Sequence, residues 1–244
     1  MSDFIKFPSI ENSYQEKNIC IWLGIYPELK SESFILTEKV DGSNFQVIIT
    51  QDTFQFATRT RILAEDESFY NWQEVVKSTY EEQFSKIQNY LIDEGHSSIH
   101  LYGELFGDGI QRRINYIKNK DFKLFEMRLN ESLLSIKEAR SLLTEIFDDE
   151  FTNNWWVPVL AITDNLDEAM SFQIEDINTS IGEELDGNRK IEGVVIAPYE
   201  KAYLKENADG GVSAFRLKKK SEKFNDKSVK REKVNLLVQR TSMN

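Results

Sequence analysis

Lys39 stands between an apolar stretch, Phe34-Ile35-Leu36, and a glycine at position 42, with a second apolar run from Phe45 to Ile49 behind it. A protonated lysine is a poor nucleophile, and a site that favours the neutral amine makes it a good one. Gly42 carries no Cβ, so the backbone there can approach a bound ligand closely, which suits a substrate bearing phosphate. The segment Glu38-Lys39-Val40-Asp41-Gly42-Ser43-Asn44-Phe45 therefore reads as strand, tight turn and strand, with a lysine held at the junction. Taken alone, four residues around a turn also describe an ordinary solvated lysine. The weight falls on what surrounds it.

Several other segments place one charged residue among apolar neighbours. Glu104 lies in Leu101-Tyr102-Gly103-Glu104-Leu105-Phe106, Glu126 follows Phe125, and Glu192 precedes Gly193-Val194-Val195-Ile196. A carboxylate in such a strand costs desolvation energy unless it is paired or binds a cation. Lys218 and Lys220 are two apart, and strand alternation puts them on one face with Arg216. Any one of these is what a charge at a strand edge looks like. Together with Lys39 they describe a site.

Hydrophobic periodicity predicts the elements that hold these residues. Phe34–Lys39, Ser43–Thr50 and Phe54–Thr58 read as consecutive strands. Trp72, Val76, Tyr80, Phe84, Ile87 and Leu91 recur every three or four residues, predicting one long amphipathic helix. Ser97–Leu105 and Phe122–Leu129 return to strand, and a Ser135-to-Glu138 capping box opens a helix over Lys137–Phe147. Trp155–Leu160 is expected to be extended and Asp167–Phe172 a short helix. Ile191–Ala197 and Ser213–Lys219 read as strands, and Val229–Val238 as a helix. Without regular βαβ alternation, this order predicts an α+β domain with mainly antiparallel sheets and flanking helices.

Composition narrows the chemistry. The 244 residues suffice for one sizeable core, and 4 Pro and 11 Gly mark no linker. There is no membrane-length apolar run and no signal-like start, so an intracellular protein is expected. Cys20 is the only cysteine, which excludes an internal disulfide and a thiolate zinc site. The net charge is −11, yet Ala214 to Arg240 carries +7 and the remainder −18. Such a basic tract is either a solvated tail or a grip on phosphates beside a repelling body. Arg112-Arg113 carries the same two readings. The Gly107-Asp108-Gly109 loop reads as a turn, the Trp155-Trp156 pair as core, and His96 and His100 as surface or packing residues.

In this order, the charged segments resemble the nucleotidyltransferase motifs of ATP-dependent polynucleotide ligases and mRNA capping enzymes, in particular those of the RNA ligase 2-like family. Glu38 to Phe45 is similar to that family's Glu-Lys-x-His-Gly-Thr-Asn-Phe segment, and Tyr102 to Gly107 to its Gly-Glu motif. Phe122 to Met127 resembles the following aromatic strand, Glu192 to Val195 the Glu-Gly motif, and Lys218 to Lys220 the terminal Lys-x-Lys. The likeness runs from about Phe7 to Phe224. It implies an ATP-grasp-like nucleotidyltransferase domain over residues 1–224, with 225–244 as a basic tail or helix.

The resemblance also implies roles. Lys39 would attack ATP and keep AMP as a lysyl phosphoramidate. Glu38, Arg59, Glu104, Phe125, Glu192, Lys218 and Lys220 would bind the nucleotide, Phe125 by stacking on adenine. Glu192 would serve the divalent metal, Mg2+ or Mn2+. Asn44 and Arg216 would meet the nucleic acid, which is RNA ends or a nicked duplex. Asp41 replaces the family's usual histidine, as in DNA ligases and capping enzymes, and Ser43-Asn44-Phe45 follows instead of their arginine. Thr37 and Glu126 stand where some relatives carry arginine and aspartate. A DNA ligase core, a capping guanylyltransferase and an inactive nucleic-acid-binding module therefore stay as alternatives. After Lys220 too few residues follow for a further domain, so sealing is expected to lean on a C-terminal module or a partner in trans.

Overall fold

The computed structural model describes residues 4–182, 186–207 and 211–224. The chain begins with β1 (Glu11–Asn12) and α1 (Glu16–Ile25), then β2 (Phe34–Glu38), β3 (Ser43–Thr50) and β4 (Phe54–Thr58). Next come α2 (Glu81–Asp93), β5 (Ser98–Gly107), β6 (Lys120–Leu129), β7 (Ser132–Leu133), α3 (Ile136–Ile146) and α4 (Asp149–Trp155). The rest comprises β8 (Val159–Thr163), α5 (Leu166–Ser171), β9 (Gly193–Pro198), β10 (Leu204–Glu206), β11 (Val212–Ala214) and β12 (Leu217–Lys220). Two five-stranded sheets dominate, ordered β1-β12-β9-β2-β8 and β4-β3-β5-β6-β7. All named strand pairs are antiparallel except β1 with β12. No helix of the described residues is long and apolar enough to cross a membrane.

A period of two explains how each strand serves both core and cleft. On β2, Phe34 and Leu36 join a core with Trp22 of α1 and Leu166 of α5, while Ile35 and Thr37 face the cleft. On β9, Val194 and Ile196 enter that core, and Val195 and Ala197 line the cleft. On β12, Leu217 is core, whereas Lys218 and Lys220 line the cleft. The second sheet repeats the pattern: Phe45, Val47 and Ile49 of β3 pack with Phe84, Ile87 and Leu91 of α2, leaving Asn44 for the cleft.

Three predicted elements are corrected. The helix expected from Trp72 to Leu91 is broken into a π-helical turn, Gln73–Ser78, and α2. The Ser78 and Thr79 hydroxyls donate to the carbonyls of Gln73 and Glu74, five residues back, which supports the wider turn. Trp155 closes a helix rather than opening a strand. The Asp148 carboxylate caps α4 by accepting from Phe151 N at 2.7 Å, and Phe147, Phe151 and Trp155, four residues apart, meet as tilted rings. The strand expected at Ser213–Lys219 is two strands in different sheets. Phe215 N donates to Tyr203 O at 2.9 Å, and Arg216 turns inward, so the chain bends there. The predicted helix Val229–Val238 and the tail 225–244 lie outside the described residues.

Candidate active site

The turn carrying Lys39 is a crossover: β2 belongs to one sheet and β3 to the other, so residues 39–42 bridge the two. The bonds this turn makes tie it to distant parts of the chain. Glu38 N donates to Pro158 O at 2.8 Å and Lys39 N to Gly193 O at 2.9 Å. Asp41 N donates to the Tyr116 hydroxyl at 2.8 Å, and the Gln111 amide donates to Gly42 O at 3.2 Å. A Cβ on Gly42 would strike the carbonyl oxygen of Leu105, so this position requires glycine for close packing on β5.

Between the sheets lies a cleft of about 490 Å3, within the ordinary size range of small-molecule sites. Lys39, Glu104, Arg59, Asn44, Phe125, Lys218 and Lys220 all line it. Glu192, immediately before β9 and only 2% exposed, is bracketed by two cations. Lys39 Nζ lies 2.6 Å from its Oε2, and Lys220 Nζ lies 3.1 Å from its Oε1. Glu104 stands opposite Asn44 across the β3–β5 pairing, with its carboxylate accepting from the Gly42 N–H. Burial pushes Glu104 up to about 8, with Glu192 and Asp41 adding repulsion against the pull of Lys39.

Apolar walls accompany these charges. Phe125 falls where the β5–β6 register shifts, and Val195 and Ala197 come from the other sheet. The segment before β1 lies along the cleft: Phe7 meets Phe125 edge-on at 5.0 Å, and Pro8 and Ile10 also line the cavity. Arg59 holds this segment, donating from Nη2 to Ser9 Oγ at 2.8 Å and from Nε to Phe7 O at 3.4 Å. An aromatic face, two apolar residues and a row of cations can hold a flat base at one end and phosphates at the other. The Asn44 side-chain amide oxygen, Oδ1, is buried there without a hydrogen-bond partner.

Two residues differ from their expected surroundings. Glu38 lines the cavity but is 1% exposed, and it accepts from Thr179 Oγ1 at 2.9 Å. Burial pushes it up to about 7, while Thr179 and Arg189 oppose the shift. Arg216 was expected to meet nucleic acid. It is 4% exposed and donates from Nε to Glu126 Oε2 at 3.1 Å, so its charge holds strands together inside the cleft.

Sequence reasoning missed an ion pair at the heart of the turn. Arg113 forms a two-pronged bond to Asp41, with Nε 2.8 Å from Oδ2 and Nη2 bonded to Oδ1. The guanidinium also lies 5.4 Å over the Phe224 ring, and Asn188 donates to the Arg113 carbonyl. Burial holds the Asp41 carboxyl above its ordinary range, against the opposing pull of Arg113. The Arg112-Arg113 dipeptide was the available signal, but nothing in the local sequence points 72 residues back to Asp41. No cluster of three or more His, Cys, Asp or Glu able to hold a metal occurs among the described residues.

The model of the RNA ligase family matches residues 32–220. The chain belongs to the RNA ligase family. Solved structures of a Naegleria gruberi RNA ligase share its fold. An apo variant is 24% identical with a TM-score of 0.62, covering 92% of this chain and 58% of that one. A variant solved with ATP and Mn is 22% identical with a TM-score of 0.61 and the same coverage. The form with pyrophosphate is 21% identical with a TM-score of 0.62 and the same coverage. This RNA ligase family member thus spans 58% of the length of those chains.

Proposed function

We propose that this chain is an ATP-dependent RNA ligase that adenylates itself on Lys39. The observation that carries the reading is the Lys39–Glu192–Lys220 arrangement at the charged end of a cleft of nucleotide size. Lys39 Nζ would form a bond to the α-phosphorus of ATP as the bond from that phosphorus to the pyrophosphate oxygen breaks. The ammonium must first lose a proton, and Glu192 Oε2 is the acceptor it touches. Lys218 and Lys220 would neutralise charge developing on the phosphoryl oxygens, and Phe125 would stack on the base. AMP would then pass to a 5′-phosphate end, which is joined to a 3′-hydroxyl.

A divalent cation, Mg2+ or Mn2+, fits a site with few carboxylates, because such an ion takes one or two of them together with substrate phosphates. Glu192 would hold it once ATP draws Lys39 and Lys220 off its two oxygens, and the ion would add charge neutralisation at the phosphates. The natural substrate is proposed to be RNA ends or a nicked duplex. A further module or a partner in trans would supply contacts beyond the described domain. The matched Naegleria chains are longer, in keeping with this.

Incubation with labelled ATP followed by denaturing electrophoresis tests the reading. ATP should leave a covalent label and GTP none, and Lys39→Ala should abolish the label. Normal labelling of that variant sinks the assignment. Asn44→Ala should still take the label and fail when RNA ends are supplied.

A further inference from the structure

A second cavity, of about 390 Å3, opens beside α3 and α4. Val157 lines both it and the nucleotide cleft, and the neighbouring Pro158 carbonyl holds the backbone of Glu38. Its cations are Lys123 on β6 and Arg140 on α3, and no carboxylate is among its described lining residues. Both cations are held by neutral partners: Lys123 donates to the Asn154 carbonyl, and Arg140 donates to the Asn153 side-chain oxygen. The Arg140 guanidinium also lies 6.0 Å from the centre of the Trp156 ring. Trp156 is 1% exposed, and its indole N–H is buried without a hydrogen-bond partner.

This is an unusual environment for two positive charges. Burial lowers the pKa of each, opposed by Asp121 and Glu38 near Lys123 and by Tyr199 and Asp149 near Arg140. A cation that loses water without gaining a directly bonded anion is disfavoured, and an incoming anion restores the balance. The cavity is concave, lined by donors and set in a chain of net charge −11. On such a body a local positive concavity is where a polyanion can settle.

We propose that this cavity binds one backbone phosphate of the polynucleotide substrate, held by Lys123 and Arg140. The proposal rests on the ligase reading. A strand whose reacting end lies at Lys39 must cross the neighbouring surface, and this cavity shares a wall with the nucleotide cleft. Phosphate contacts of this kind set register and orientation without reading sequence. The subsite would therefore fix where the strand lies relative to the reacting end.

The test uses the full chain and two substitutions outside the nucleotide cleft, Arg140→Gln and Asn153→Asp. Binding of a 5′-phosphorylated single-stranded RNA is followed by fluorescence anisotropy over a range of salt. Both variants should bind RNA severalfold more weakly, and Arg140→Gln should reduce the slope of log affinity against log salt by about 0.7, the amount for one phosphate contact. Labelling by ATP should be unchanged, and Asn153→Asp should not lower the melting temperature, since it removes no packing and sets an anion beside Arg140. Unchanged RNA affinity and slope in both variants overturn the proposal while leaving the adenylation reading intact. A shift in melting temperature on adding inorganic pyrophosphate that needs Arg140, with RNA binding unaffected, also overturns it. That outcome would mark a site for small free phosphates. Failure of the parent chain to take label from ATP would instead strike the ligase reading itself.

Discussion

At the residue scale, the turn at Lys39 depends on carboxylates that each answer to a specific cation. Glu192 answers to Lys39 and Lys220, and Asp41 to Arg113. Arg113→Gln would leave Asp41 buried without its charge partner, at a cost of about 1–3 kcal/mol for an unsatisfied buried acceptor. We expect a lower melting temperature and adenylation slowed by roughly 10-fold, equivalent to about 1.4 kcal/mol in the barrier. Unchanged labelling kinetics would show that the pair serves stability alone. Glu38 and Glu104 give a pH signature. Burial raises them to about 7 and about 8, from an ordinary value of 4.5. Across that interval the folded protein holds protons that the unfolded chain has already released, so stability falls as pH rises. The nucleotide-free protein should melt at a higher temperature at pH 5 than at pH 8, and Glu38→Gln should flatten the difference. A midpoint that climbs over the same interval would falsify this.

At the element scale, the approach of β9 to β12 sets the position of Glu192. Gly193 pairs with Lys220, and a Cβ on Gly193 would strike the Lys219 carbonyl and come within 2.8 Å of the Lys220 Cα. Gly193→Ala should cost about 1–3 kcal/mol through overpacking. It should also lower ATP labelling by more than the loss of folded protein explains, because it separates Glu192 from Lys220. Labelling that merely tracks the folded fraction would refute that link. The strands were legible because their residues alternate between core and cleft, as in Phe34, Ile35, Leu36 and Thr37. The five charged segments were legible because each interrupts such a pattern. What stayed hidden has physical causes. The break at Ser78 and Thr79 comes from hydroxyls bonding back to the helix, which apolar periodicity does not register. The burial of Arg216 depends on Glu126, 90 residues away. The segment Phe7 to Ile10 has no period of its own, and its place along the cleft follows from Arg59 and Phe125.

At the scale of the whole molecule, the site is a seam. Lys39, Glu192, Lys218 and Lys220 come from one sheet and its edges, whereas Asn44, Glu104 and Phe125 come from the other. Residues 39–42 join β2 to β3 across that seam, and the two groups are held together further by packing, by the chain from β7 to β8 and by bonds such as Arg216–Glu126 and Val157 N to Leu124 O. A ligand that touches both sheets would therefore stabilise the protein as it binds, since it favours the state in which the seam is closed.

The parallel pairing of β1 with β12 gives the chain a timetable. Glu11 pairs with Leu217 and Asn12 with Lys218, so the first strand is bonded to the strand that carries two of the lysines. A ribosome releases β1 long before β12, and contacts so distant in sequence wait on closure of the whole intervening chain. Lys39 leaves the ribosome early, yet Glu192, Lys218 and Lys220 are then still unmade. A growing chain therefore has the lysine proposed to react without the groups proposed to grip ATP around it. Reactivity arrives late in synthesis, as a property of the nearly complete domain.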